Sequence, residues 1–236
     1  MHLRPYFAAL LLAMTLPLAH ASPTIEGKGG AAVELSGQPD PTKGVILMAV
    51  SWKARWGCGE AEHAKLEQIS FRRLPLKDSD TNAFDLRLTD ELSLFRFPAP
   101  WDYYALQLEP GEYALNSTQV YSALDVSQVS KLVVDPARLL KDGKPQGGSF
   151  KVNAGEVAYI GEFALDCYQQ PMLWRYYIAA QGMPKHLHVW KDKYPSLAVD
   201  RVAFRLFDTK VFGRPPKESD LPSPQDKGII KTNASQ

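Results

Sequence analysis

A two-residue alternation of apolar and polar side chains limits what this chain can fold into. Phe84, Leu86 and Leu88 alternate with Asp85, Arg87 and Thr89, and Tyr104, Leu106 and Leu108 alternate with Ala105 and Gln107. Successive side chains of a strand point to opposite faces, so this rhythm predicts strands with one face buried. Residues 66–74 carry Ile69 and Phe71 on one face, and 92–97 follow the same rhythm. Residues 44–52 differ: they form an almost unbroken apolar run with β-branched Val45, Ile46 and Val50, the pattern of a fully buried strand. Turn residues separate these segments at roughly 8–12 residue spacing, as in a sandwich or barrel.

The fold class expected is mainly β: an antiparallel β-sandwich with a short C-terminal helix and a final strand. The helix is expected near 184–194, with Pro184 in its first turn and Leu187, Trp190 and Tyr194 at i, i+3 and i+7. Residues 197–208 return to strand rhythm, with Val202, Phe204 and Leu206 on one side.

Residues 1–21 carry the marks of a secretory signal peptide. Arg4 supplies the positive end, residues 7–16 the apolar stretch, and Ala19-His20-Ala21 the small-x-small cleavage site. Cleavage after Ala21 places the mature chain in the periplasm or outside the cell, with no later stretch apolar enough to span a bilayer. The chain then divides into a linker or leading strand at 22–43, a single sandwich domain at 44–212 and a disordered, Pro-rich tail at 213–236.

In an oxidising compartment two cysteines have a default meaning, and Cys58 and Cys167 are expected to form a disulfide. Such a bridge closes a loop of about 110 residues and constrains the unfolded chain by about 4–5 kcal/mol. A metal site at Cys58, Glu60, Glu62 and His63 is one rival, with a spacing that matches no zinc pattern, and a free reactive thiol is the other.

Pro110-Gly111-Glu112-Tyr113 has an echo in Asn153-Ala154-Gly155-Glu156, each between apolar strand ends. Both are expected to be tight hairpin turns, the first of type II, with Pro fixing one φ and Gly accepting φ > 0 at the next. The first element, followed by residues 150–161, resembles a pattern in uncharacterised bacterial exported proteins and lipoproteins. Those proteins are similar to small transthyretin-like, or carboxypeptidase-regulatory-like, β-sandwiches. The resemblance covers residues 44–165 and implies a sandwich of a bacterial envelope; it carries over no catalytic residue. No lipobox cysteine follows the apolar stretch of the leader, a departure from the lipoprotein members.

No local motif announces a chemistry. There is no Gly-x-Ser-x-Gly elbow, and Gly27-Lys28-Gly29-Gly30 lacks the remainder of a phosphate loop. His186 and His188 would sit about 200° apart on a helix and are expected as solvated residues. Lys+Arg total 27 against Asp+Glu 26, which gives no electrostatic pull toward nucleic acid. The two Trp-x-Tyr-Tyr segments carry more weight. Trp101, Tyr103, Trp174 and Tyr176 are the candidate binding aromatics, and Asp102 and Arg175 could pair if their strands were neighbours.

The function expected is therefore a non-catalytic binding or interaction module of the bacterial cell envelope. Its partner is an envelope protein or glycan, and no catalytic residue, cofactor or metal ligand is assigned. The alternatives are an envelope-directed hydrolase whose site is built from scattered residues, and a small-ligand or metal carrier.

Overall fold

The computed structural model describes residues 24–28, 31–53, 64–75, 83–88, 101–123, 129–134, 139–142, 144–166, 172–178, 182–209 and 211–212. Among them, strands β1 (Thr24–Lys28), β4 (Lys65–Arg73), β5 (Ala83–Arg87), β7 (Gly111–Ala123), β8 (Val129–Val134) and β11 (Ser149–Val152) form one sheet. Its order is β1-β5-β4-β7, with β11 and β8 sharing the far edge of β7, and every ladder is antiparallel. The second sheet holds β2 (Ala32–Glu34), β3 (Gly44–Val50), β6 (Asp102–Leu108), β12 (Val157–Asp166), β13 (Met172–Tyr176) and β14 (Val202–Phe204). Its order is β13-β12-β3-β6-β2. β14 pairs β12 at Val157–Tyr159, and β13 takes over from Glu162 onward. β9 (Leu140–Lys141) and β10 (Lys144–Pro145) make a small separate ladder.

The protein is thus mainly β, with two sheets rich in antiparallel ladders and one α-helix, α1 (Met183–Lys193), among the described residues. β12 departs from the antiparallel rule: it runs parallel to both β3 and β14.

Alternation sorts each strand between two apolar layers. Ile46, Met48 and Val50 of β3 point between the sheets, with Ile69, Phe71, Phe84, Leu86, Tyr104, Leu106, Phe150 and Phe163. Phe71 lies at the centre of an aromatic group, 5.1 Å from Phe84 and 5.5 Å from Phe150 between ring centroids. Val45, Leu47 and Ala49 point the other way, into a layer closed by Met183, Leu187 and Trp190 of α1 and by Tyr194 just after it. β3 is buried on both faces, which is why its sequence is an apolar run and not an alternation.

The helix is anchored at several points. The Trp190 indole N–H donates to the Tyr104 carbonyl at 3.1 Å. Lys191 ties the turn after the helix back to it by donating to the Pro195 and Leu197 carbonyls at 2.7 and 3.0 Å. Lys193 pairs with Glu34 of β2 at 3.0 Å and donates to the Tyr103 carbonyl. The Tyr194 hydroxyl donates to the same carboxylate, and burial, ahead of that carboxylate, pushes its pKa well up.

Several expectations change. The segment 22–43 holds two leading strands, β1 in one sheet and β2 in the other. The final strand is short: Val199–Arg201 is a 3-10 turn, the strand spans Val202–Phe204, and Asp208 adds an isolated bridge to Ser149. Pro110-Gly111 is no hairpin, because β6 and β7 belong to different sheets. Asn153–Gly155 is likewise a corner, carrying the chain from β11 to β12 on the opposite sheet. Gly155 has the positive φ, 68°, expected of such a turn, and Gly111 has none. Local turn chemistry bends a chain without fixing which sheet receives it. Residues 92–97, the leader and the tail lie outside the described residues.

Candidate functional site

One row of residues crosses the second sheet on the face that carries α1. Register sets Tyr103 of β6 beside Ala49 of β3, Ala49 beside Glu162 of β12, and Glu162 beside Tyr176 of β13. Ala49 is the small member of this row, and the space above it receives His186 from α1. The His186 Nδ1 lies 3.3 Å from the Tyr103 hydroxyl and 3.8 Å from the Glu162 carboxylate. Tyr103 also packs edge-on against Trp190, 4.9 Å between centroids.

Glu162 reaches this face because of the residue before it. Up to Tyr159, odd-numbered side chains of β12 join the α1 layer; after Gly161, Phe163 and Leu165 point between the sheets. The pairing with β3 shifts between Tyr159 and Gly161, a bulge in which Gly161 adopts φ 126°. Without that extra residue the carboxylate would be directed between the sheets, among phenylalanines.

Aromatic rings surround the pair. Trp101, just before β6, meets Tyr176 edge-to-face at 6.5 Å and 75°. Trp174 lies two residues before Tyr176 on β13, opposite Ala164. Trp101, Tyr103 and Trp174 are half-buried and Tyr176 is 37% exposed, so all four predicted aromatics lie on or near one end of one face, with surface reachable by a ligand.

Burial decides the electrostatics. It pushes the Tyr103 pKa up, with the Glu162 charge adding to the effect. It holds His186 below its ordinary value, helped by Lys185. At neutral pH the imidazole is therefore uncharged, and with its proton on Nε2 the Tyr103 hydroxyl donates to Nδ1. Glu162 is buried, 7% exposed, so the parts of this site that a polar ligand can reach are the half-buried neutral imidazole and the flat aromatic faces.

Sequence reasoning did not identify His186 or Glu162 as site residues. His186 had a usable signal: Met183, His186 and Trp190 fall at i, i+3 and i+7, on the buried face, whereas His188 is exposed as expected. Glu162 had none, because the bulge reverses its parity.

Asp102 and Arg175 occupy one register row with Val50 and Phe163 between them. Three strand spacings, about 14 Å, separate the two backbones, so their strands are not neighbours. The Arg175 guanidinium instead donates to the Phe207 carbonyl and stacks over Tyr177 at 4.3 Å.

Cys58, Cys167, Glu60, Glu62 and His63 lie outside the described residues. Among the described residues no group of three or more His, Cys, Asp and Glu could hold a metal ion, and no helix is long and apolar enough to cross a membrane.

No family model, curated protein or solved structure matches the chain.

Proposed function

We propose that this chain is an exported, non-catalytic binding module of a bacterial cell envelope, and that the aromatic end of the α1-bearing face holds its ligand. The observation that carries the reading is the row Tyr103–Ala49–Glu162–Tyr176, which, with His186 of α1 against it and Trp101 and Trp174 beside it, gathers a carboxylate, an imidazole and four aromatic rings from β6, β12, β13 and α1. An envelope glycan fits this chemistry. Ring faces accept the C–H faces of a sugar, and His186, held in place by Tyr103 and Glu162, offers a hydrogen-bonding nitrogen for its hydroxyls. The leader at 1–21 supports the compartment, and the resemblance to transthyretin-like sandwiches supports a bacterial source.

The hydrolase reading draws on the His186–Glu162 contact. A nucleophilic mechanism needs an attacking hydroxyl or thiol in reach of the base. Among the described residues, the hydroxyl that contacts His186 is Tyr103's, half-buried and with a raised pKa. That arrangement suits binding better than attack.

The test is co-sedimentation of the full chain with insoluble envelope polysaccharide. The wild type is expected in the pellet, and the Trp101→Ala, Tyr176→Ala double variant to lose more than about tenfold in affinity. Equal retention of a double variant with unchanged far-UV circular dichroism overturns the glycan site. Release of soluble sugar by the wild type but not by Glu162→Gln supports the hydrolase instead.

A further inference from the structure

On the opposite sheet, β8 ends the row of strands. Among the described residues it pairs with β7 alone, through six residue pairs in uninterrupted register. Natural sheet edges are guarded by outward charges, prolines, bulges, very short strands or a covering helix or loop. Among the described residues β8 shows one of these, a single lysine. It contains no proline, and its one charge, Lys131, reaches back across β7 to Glu67 of β4 at 3.1 Å, away from the open edge. Leu132 and Val133 are left 38% and 43% exposed, and Ser130 and Lys131 are exposed too. At the other sheet's edge, β2 exposes Val33 but is only three residues long.

We propose that β8 pairs antiparallel with β8 of a second copy of this chain, about a two-fold axis at Leu132, joining two sheets into one. The occupant follows from the strand's own sequence. Strand partners must project to the same face, which leaves only registers centred on a residue. Centred on Lys131, two lysines stand opposite each other, a destabilising pair. Centred on Ser130 or Val133, pairing within the strand shrinks to its first or last three residues. Centred on Leu132, Leu132 meets its copy, Val133 covers the Lys131 stem, and Ser130 meets Val134. Leu132 sits beside the buried Val120 of β7, so the joined leucines extend the apolar side of the sheet.

The decisive experiment is sedimentation equilibrium of the full chain from about 1 μM to about 1 mM, the range in which a modest interface associates. The mass is expected to rise from one chain to two. Leu132→Lys and Leu132→Glu are each expected to stay at one chain mass. Both carry the change on an exposed side chain, with folding checked by thermal melting. Mixing the two variants is expected to restore the two-chain species, because the axis then sets Lys against Glu. A wild type that keeps one chain mass throughout overturns the proposal, whatever peptide the edge then accepts. So does Leu132→Lys associating like the wild type, or a mixture that fails to associate. The Trp101 and Tyr176 variants leave this mass unchanged, which separates the edge from the glycan site.

Discussion

A single glycine decides where Glu162, the carboxylate of the candidate site, points. Gly161 holds φ 126°, a conformation that L side chains rarely adopt, and a Cβ there would come within 3.1 Å of the Tyr176 carbonyl oxygen. Gly161→Ala is therefore expected to destabilise the fold by about 1–3 kcal/mol, read as a lower urea midpoint. Glycan retention should fall with it, as Glu162 and Tyr176 lose their register. A variant with unchanged midpoint and unchanged binding would show that the bulge has no such role. His186 makes the second residue-scale prediction. Its pKa is lowered from 6.5, chiefly by burial and then by Lys185, with Tyr103 and Glu162 the other groups that face it. The folded state thus binds this proton less readily than the unfolded chain. Its contribution to stability is complete above pH 6.5 and declines as pH falls from there toward the folded value. Urea midpoints between pH 7.5 and 5.5 should fall more steeply for the wild type than for His186→Gln. Parallel slopes would mean that His186 titrates as a solvated histidine.

Elements differ in how much of themselves they reveal in sequence. The helix was legible because Leu187 and Trp190 repeat at helical spacing behind Pro184, and the structure buries both completely. β3 was legible as a strand buried on both faces, although nothing local says that α1 is what covers its outer side. The aromatics Trp101, Tyr103, Trp174 and Tyr176 were legible as a set by their repeated Trp-x-Tyr-Tyr form, and the sheet order brings them to one end of a face. The partners of that set were not. Glu162 depends on a bulge that is a property of pairing with β3, and pairing is non-local. The echo between Pro110-Gly111 and Asn153-Ala154-Gly155 misled for the same reason. Each segment turns the chain, and only the sheet membership of β6, β7, β11 and β12 distinguishes a corner from a hairpin.

On the scale of the whole molecule, two apolar layers share their walls. β3, β6 and β12 each contribute alternate residues to the inter-sheet layer and to the layer under α1. Neither layer can open without exposing strands that the other needs, so the described core should unfold as one unit and not shed its helix first. Ile46 and Leu47 test this from adjacent positions, since both are fully buried and face opposite layers. Ile46→Ala and Leu47→Ala are each expected to cost about 2–5 kcal/mol. Far-UV circular dichroism and tryptophan fluorescence should still report a single common midpoint in each variant. Trp190 lies in the helical layer, so fluorescence that changes before the β signal in Leu47→Ala, but not in Ile46→Ala, would identify α1 as a separately unfolding lid. Coincident transitions in both would tie the candidate site to global stability. His186 comes from α1 and Glu162 from β12, and a helix that stays docked until the sheets part keeps the two in contact for as long as the fold persists.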